Sequence, residues 1–228
     1  MFVEKVSKVE EVSKSKDQTA IDRQANVKTK STFREYAEAI LMALVLALFI
    51  RTFIVQAFKI PSGSMIPTLQ IGDHILVNKL SYGVRIPFLE RYLLDYSKPT
   101  RGDVVVFIFP EDRSKDFIKR VIGVAGDTVE VRGKKVYVNG KQIDDPHAHL
   151  EGDDPQLAGL IGRDDFGPRT VPENHIFVMG DNRDRSYDSR FWGYVNLDDV
   201  RGKAILIYWS WDGGDRWVRW ERLGSLIR

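Results

Sequence analysis

The 228-residue sequence contains no cysteine and almost no excess of charge, with a net charge of +2 at pH 7. The lack of cysteine excludes disulfides, thiolate nucleophiles and cysteine-ligated zinc. The balanced charge gives no indication of a nucleic-acid partner. Hydrophobic residues nevertheless make up 43% of the chain, enough to bury a core, so we expect one main domain with appendages.

Long apolar runs are scarce, and the longest is residues 39–50, twelve uncharged apolar residues in succession. As a helix, residues 36–58 would be ~34 Å long and could cross a hydrocarbon core of ~30 Å. We therefore predict a transmembrane anchor at 36–58 after a polar tail at 1–35. A buried helix and a cleavable signal peptide are the alternatives, and the long polar region before the run argues against the second. Basic residues before the run favour a cytoplasmic N terminus, with residues 59–228 outside.

The rest of the chain has the pattern of a mainly β domain. Short β-branched and aromatic runs, such as DVVVFIF and KAILIYW, alternate with turn residues. Asn139-Gly140 lies between two such runs and predicts a two-residue hairpin. A polar stretch rich in Gly and Pro predicts an inserted excursion around residues 144–169. The expected fold is a mixed antiparallel β-sheet domain with an N-terminal transmembrane helix.

The segment KIPSGSMIPTL, residues 59–69, places Ser62 and Ser64 between two prolines. The prolines restrict the backbone and predict a stiff turn that presents two hydroxyls. The turn is either an ordinary one or the support of a nucleophile, and a serine nucleophile needs a base.

Histidine and lysine are the candidate bases. The four histidines are more typical of structural or surface residues than of a triad, namely His74, His147, His149 and His175. Lys119 lies in the apolar run DFIKRVIGVAGD, where burial would lower its pKa enough for the amine to be neutral. The alternation of side chains along a strand equally allows Lys119 to face water.

The segment MGDNRDRSYDSRFWG, residues 179–193, is unusually rich in charge and is either a polar loop or part of a site. Asp181 and Asn182 resemble ligands of a calcium loop, but arginines follow where that loop needs oxygen atoms. His147 and His149 lie near two aspartates, but their spacing does not match that of zinc sites. The sequence therefore predicts no metal and no other cofactor.

Five segments occur in the order seen in bacterial type I signal peptidases, the leader peptidases, and the chain resembles that family across the anchor and nearly all of the outer domain. The segments are PSGSMIPTL, GDHILVNK, RGDVVVF, FIKRVIGVAGD and GDNRDRSYDSRFWG. The resemblance implies a membrane-bound serine endopeptidase that removes N-terminal signal peptides from exported preproteins.

The resemblance also implies roles for individual residues. Ser64 corresponds to the nucleophile and Lys119 to its general base. Ser62 corresponds to the hydroxyl that joins the Ser64 backbone N–H in the oxyanion hole. Ser186 corresponds to the serine that orients the lysine.

The family's supporting ion pair falls on Asp188 and Arg190. One position departs from the family pattern, because Arg185 stands where asparagine is common. An exposed arginine there would be harmless, whereas a buried one would need a partner such as Asp184.

The family's preference for small residues at the first and third positions before the cut implies shallow apolar pockets. An extended substrate would bind there by strand addition. The residues implied are Ile60, Pro61, Met65, Phe117 and Ile118. The implied partners are secretory preproteins, the lipid bilayer and a nearby secretion translocon, at the inner or plasma membrane.

Two other functions fit parts of the sequence. A self-cleaving serine–lysine regulator shares the chemistry, but it would lack the anchor and carry a DNA-binding module. A non-enzymatic, membrane-tethered β domain that binds a protein partner would not need Ser64 or Lys119.

Overall fold

The computed structural model describes residues 32–85, 92–150 and 163–228. The chain divides into two compact units, Met1–Ala47 and Leu48–Arg228. Most of the predicted polar tail, residues 1–31, and the middle of the predicted excursion, residues 151–162, lie outside the described residues.

Helix α1 extends over Thr32–Phe53 and has no buried residue in the described part of the chain. Glu35 in its first turn and Arg51 in its last turn suit the charge distribution of a helix. With a mean hydropathy of 1.8 it is long and apolar enough to cross a membrane, although signal sequences and core helices can have the same length and composition.

The helix ends five residues before the predicted end of the anchor, because Val55–Lys59 form strand β1. This strand pairs antiparallel with β2 (Asp73–Asn78), from Val55 opposite Asn78 to Lys59 opposite His74. Apolar content alone does not distinguish a helix from a strand in this segment. The pairing with β2 stabilises the strand conformation.

The main sheet has the strand order β1-β2-β13-β5-β6-β11-β12, with β14 added to β13. All of these pairs are antiparallel, which confirms the predicted fold class. The further strands of this sheet are β5 (Val104–Ile108), β6 (Asp116–Val124), β11 (His175–Met179), β12 (Val195–Asn196), β13 (Val200–Asp212) and β14 (Trp217–Val218). Helix α2 is a single turn, Ser189–Trp192.

Two smaller sheets complete the described strands. One has the order β10-β7-β8-β9, and the other pairs β3 with β4. Their strands are β3 (Gly83–Arg85), β4 (Tyr92–Asp95), β7 (Thr128–Arg132), β8 (Lys135–Val138), β9 (Lys141–Gln142) and β10 (Phe166–Thr170). The β8–β9 turn is Asn139-Gly140, and both residues have positive φ (53° and 77°), so the predicted hairpin is confirmed.

The end of the predicted excursion is part of a sheet. Phe166–Thr170 form β10 and pair with β7, although Gly167 and Pro168 are typical of a loop. The register shifts between Phe166 and Arg169, so the strand accommodates these two residues at an irregularity.

Apolar side chains cover both faces of the central strands. All five residues of β5 are buried, as are residues 118–123 of β6. One core cluster joins Ile60 and Met65, on either side of the predicted nucleophile turn, to Ile118 of β6. The core therefore brings the turn after β1 close to β6, although three strands separate β1 from β6 in the sheet.

Candidate active site

Ser64 and Lys119 lie side by side. Lys119 Nζ is 2.6 Å from Ser64 Oγ, within hydrogen-bonding distance, and both residues are buried. Ser64 is in the turn that follows β1, and Lys119 is in β6 opposite Val105 of β5. The structure thus brings the predicted nucleophile and the predicted base together across 55 residues of sequence.

The surroundings of Lys119 disfavour its charged form. Burial lowers the pKa of Lys119 from 10.5 to about 8, and nearby Asp188 and Asp181 oppose this shift only in part. The side chain is only 4% exposed. Its amine also lies 5.5 Å from the centre of the Phe117 ring. The alternative that Lys119 faces water is wrong, because both faces of β6 are covered at this residue.

The nucleophile turn presents some predicted residues to solvent and others to the core. Ser62 and Pro61 are exposed, so both are accessible to a substrate. Ile60 and Met65 are 2% and 0% exposed and belong to the core cluster. They can contribute at most the floor of a pocket.

Asp188 and Arg190 form the predicted ion pair within the buried part of the site. Arg190 donates from Nε to Asp188 Oδ1 at 2.8 Å and from Nη2 to Oδ2 at 3.0 Å. Burial by itself raises the pKa of Asp188, but the Arg190 guanidinium outweighs it and holds that pKa below its usual value. The carboxylate also accepts the Gly180 backbone N–H at 3.0 Å.

Ser186 is fully buried at the edge of the site, but it is not bonded to Lys119. Its hydroxyl lies near the Asp188 carboxylate but forms no regular hydrogen bond with any described residue. A Cβ on Gly180 would lie 2.2 Å from Ser186 Oγ and 2.4 Å from the Ser64 carbonyl oxygen. Ser186 and the nucleophile turn therefore pack against the same glycine.

A second buried ion pair, which the sequence analysis missed, adjoins the base. Arg120 donates from Nε and Nη2 to the two carboxylate oxygens of Asp181, each at 2.7 Å. Arg120 is 2% exposed and Asp181 0%. The sequence contains one sign of this ion pair, an arginine directly after Lys119 in an apolar run. It does not show which carboxylate the arginine contacts.

The loop after β11 also holds the nucleophile turn through its backbone. The Asn182 N–H donates to the Ser64 carbonyl at 3.1 Å, and Asn182 Nδ2 donates to the Gly63 carbonyl at 3.4 Å. The loop carries Asp181, Ser186 and Asp188 as well, so one segment contacts the nucleophile turn and surrounds the base.

The described start of the predicted excursion is attached to this loop. His149 donates its N–H to the Asp181 carbonyl at 2.7 Å and accepts the Arg183 N–H at 2.9 Å. Arg183 also forms an ion pair with Asp145. In the described ranges, no three His, Asp or Glu residues are grouped closely enough to hold a metal ion.

Of the other histidines, two are in the main sheet and His147 is in a turn, and Arg185 is at the surface. His74 is in β2 and His175 begins β11. Arg185 is exposed, which is the harmless arrangement, while Asp184 pairs with Lys134 Nζ at 2.8 Å.

The first half of β6 has a free edge in the described part of the chain. Residues 116–119 pair with β5 on one side, whereas β11 pairs on the other side only from Arg120 onward. Phe117 is half-buried and Ile118 is 8% exposed. The unpaired backbone groups of this edge are available to an extended peptide.

Comparison with known proteins adds an independent finding. The signal peptidase family, peptidase S26, matches residues 33–209. Signal peptidase I of Pseudomonas aeruginosa is 38% identical in an alignment of 209 positions that covers 78% of this chain and 72% of that protein. Signal peptidase I of Aquifex aeolicus is 36% identical in an alignment of 228 positions that covers 78% of this chain and 84% of that protein.

A solved structure, signal peptidase I of Enterococcus faecalis, is 32% identical, with a TM-score of 0.38, and covers 48% of this chain and 98% of that one. The matched range and the identity to the curated relatives confirm the resemblance found in the sequence. The chain belongs to the signal peptidase family of peptidases.

Proposed function

We propose that this protein is a membrane-bound serine endopeptidase that removes signal peptides from exported preproteins, with Ser64 as nucleophile and Lys119 as general base. The observation that carries the proposal is the 2.6 Å distance between Lys119 Nζ and Ser64 Oγ, with the lysine buried. A serine–lysine pair can act only if the amine is neutral, and the pKa of Lys119 is lowered to about 8.

In the reaction, Ser64 Oγ attacks the carbonyl carbon of the scissile peptide while its proton passes to Lys119 Nζ. The tetrahedral intermediate collapses as the C–N bond breaks, and the Lys119 ammonium gives its proton to the leaving amine. An ester of Ser64 with the signal peptide remains. Water then attacks this ester, with the neutral amine again accepting a proton, and Ser64 is regenerated.

The exposed Ser62 hydroxyl and the Ser64 backbone N–H are the proposed donors to the oxyanion. Removing one such donor typically costs ~3–4 kcal/mol of transition-state stabilisation. We assign Ser186 the role of accepting a hydrogen bond from the Lys119 ammonium, because its buried hydroxyl packs against the glycine that also contacts the nucleophile turn. Arg190 neutralises Asp188, whose charge would otherwise raise the pKa of Lys119 further.

The substrate is proposed to bind as an extended strand between the free edge of β6 at residues 116–119 and the turn at Ile60 and Pro61. Substrates with small residues before the cut fit this arrangement. The nearby side chains of Ile60, Met65 and Ile118 are packed into the core and leave little room for a large substrate side chain. Pro61 and Phe117 are more accessible and would line the pocket walls.

Helix α1 is the proposed anchor, with residues 1–35 cytoplasmic and the β domain outside, beside the secretion translocon. Its length and hydropathy support this placement. Protease added to the outer face of spheroplasts should degrade the β domain and spare the N terminus. Protection of the β domain would contradict the orientation.

The function is tested by incubating purified protein with a synthetic preprotein. Wild type should cut after the signal peptide, and Ser64→Ala should be inactive with an unchanged fold. Ser114→Ala is the matched control, because the Ser114 hydroxyl is exposed, donates to Asp112 Oδ1 at 2.6 Å and does not belong to the proposed site. If Ser64→Ala cleaves the preprotein as well as wild type in a preparation free of host peptidase, the proposal is contradicted. A non-enzymatic binding domain would then be the better interpretation.

A further inference from the structure

The distance between Ser64 and Lys119 is not set by the main sheet. Ser64 lies outside any strand, in the turn after the edge strand β1, and Lys119 is in β6, with three strands between β1 and β6. A small shift of this turn would separate the two side chains without breaking any strand pairing. The apolar core brings the turn close to β6, and polar contacts from the turn to that side of the sheet add to this attachment.

Thr68 provides such a cross-link from within the turn. It lies four residues after Ser64, and the neighbouring Leu69 N–H closes the turn on the Met65 carbonyl at 2.8 Å. The Thr68 hydroxyl donates to Asp181 Oδ2 at 2.5 Å. The Thr68 carbonyl accepts from Arg222 Nη2 at 2.9 Å. The hydroxyl and the carbonyl of this one residue thus both attach the turn.

The hydroxyl contact leads directly to the base. Asp181 is paired at both carboxylate oxygens with Arg120, the residue after Lys119 in β6. Arg120 is itself fastened, since its Nη1 donates to the Gly102 carbonyl at 2.8 Å and to the Arg228 carbonyl at 2.9 Å. Thr68 therefore links the nucleophile turn to a fully buried ion pair on the strand of the base.

The carbonyl contact leads to the last described segment of the chain. Arg222 is held by Asp73, a carboxylate that is 0% exposed and accepts from Arg222 Nη2 at 2.6 Å. Asp73 also accepts the Ser210 hydroxyl at 2.7 Å and the Gln70 N–H at 2.8 Å. These contacts immobilise the guanidinium that binds the Thr68 carbonyl.

We propose that Thr68 is a positioning residue for the Ser64–Lys119 pair, joining the nucleophile turn to the Asp181–Arg120 pair through its hydroxyl and to Arg222 through its carbonyl. The proposal rests on the function proposed above for Ser64 and Lys119. The Thr68 hydroxyl and carbonyl bond to Asp181 and Arg222 and not to Ser64 Oγ or Lys119 Nζ, so we expect its effect to be on the chemical step and not on substrate binding.

The test compares Thr68→Val, Thr68→Ser and Thr100→Val in the full-length protein. Thr68→Val removes the hydroxyl at nearly constant shape, and Thr68→Ser keeps it. Thr100→Val is the matched control, because the Thr100 hydroxyl also bonds a buried carboxylate, Asp103, at 3.2 Å. For each variant, kcat and KM for a synthetic preprotein are measured together with the melting temperature.

Thr68→Val should lower kcat on the order of 10- to 100-fold with KM within about twofold, since a displacement near 1 Å suffices for such a loss. Thr68→Ser should keep at least about half of the wild-type kcat, and Thr100→Val should keep all of it. A general loss of stability would lower the melting temperature in Thr68→Val and Thr100→Val alike, without the selective loss of kcat.

Wild-type kcat in Thr68→Val, or an equal loss in Thr68→Ser, would overturn the proposal. If Thr68→Val does not fold, Arg222→Gln decides, because it removes the donor to the Thr68 carbonyl. We expect a loss of kcat smaller than that expected for Thr68→Val, at unchanged KM, and wild-type kcat in Arg222→Gln would then overturn the proposal. Inactive Ser64→Ala with fully active Thr68→Val would refute the positioning role alone. Active Ser64→Ala would refute the proposed function itself.

Discussion

At the scale of single residues, the site depends on the cost of burying a lysine. Lys119 is enclosed by the covered faces of β6, and burial is the main cause of its lowered pKa. The two aspartates that would restore its charge are each occupied by an arginine, Asp188 by Arg190 and Asp181 by Arg120. Among the described residues, the amine therefore lies within hydrogen-bonding distance of Ser64 Oγ and forms no ion pair with a carboxylate.

This arrangement predicts how activity and stability depend on pH. The rate of cleavage should rise with pH and level off above about 8, the pKa of Lys119. Between pH 8 and 10.5 the unfolded chain keeps the lysine proton and the native state does not, so the free energy of unfolding rises with pH. Below pH 8, Lys119 should lower stability by about 3 kcal/mol.

Lys119→Met should accordingly be inactive but more stable than wild type at pH 7, by up to about 3 kcal/mol, with the gain nearly gone at pH 10.5. Urea unfolding at several pH values measures this difference. Lys119→Arg is the control, since it keeps a charge that does not dissociate and should be inactive without any gain in stability. A Lys119→Met protein less stable than wild type at pH 7 would contradict the account of the site.

Gly180 gives a second prediction at this scale. A methyl group there would overlap the Ser64 carbonyl oxygen at 2.4 Å and Ser186 Cβ at 2.5 Å, so the nucleophile turn has to move. Gly180→Ala should lower kcat on the order of 10- to 100-fold, measured with a synthetic preprotein. Gly213→Ala is the matched control, because nothing lies within 4 Å of its added Cβ, and it should behave as wild type.

At the scale of secondary-structure elements, the sequence predicted what depends on local patterns. The β-branched runs became β2, β5, β6, β7, β8, β11 and β13. Several strands were not predicted, among them β1, which continues the apolar helix, and β10, which contains Gly167 and Pro168. For these two segments the partner strand, and not the local pattern, determines the conformation.

Within the site, the sequence alone left histidine and lysine open as bases, and resemblance to a family selected Lys119. The Arg120–Asp181 pair and the bonds of Thr68 could not be predicted, because they join residues 61 and 113 positions apart. Hydrophobic patterns show which segments are buried. They do not show which buried charges meet.

The free edge of β6 gives a prediction about substrate binding. If the substrate adds as a strand at residues 116–119, its backbone N–H groups pair with that edge. We therefore expect N-methylation of a substrate peptide, at one or more of the four residues before the cut, to reduce kcat/KM by roughly tenfold. A loss of this size corresponds to about one hydrogen bond. N-methylation five residues after the cut is the control, and indifference to all four upstream positions would contradict strand addition.

At the scale of the whole molecule, the chain separates an apolar helix from a domain with its own cores. Among the described residues, three clusters of buried apolar side chains and both ion pairs of the site belong to the unit Leu48–Arg228. The described residues of α1 before position 48 contribute no buried side chain. The chemistry therefore does not require the helix, and the proposed role of α1 is to place the site at the membrane.

A fragment of residues 54–228 should accordingly fold and cut a soluble peptide with nearly the kcat/KM of the full-length protein. Among the described contacts, the fragment loses the hydrogen bonds from Lys79 Nζ to the Thr52 carbonyl, which is exposed, and from the Ile54 N–H to the Ile50 carbonyl. With a preprotein embedded in lipid vesicles, however, the full-length protein shares the bilayer with its substrate and meets it at a higher effective concentration. The full-length protein in the same vesicles should then be more efficient than the added fragment by on the order of 100-fold.

The soluble peptide serves as the internal control, because it removes the membrane from the comparison while leaving the site unchanged. Equal efficiency of fragment and full-length protein on the embedded preprotein would show that the helix does not act as an anchor for catalysis.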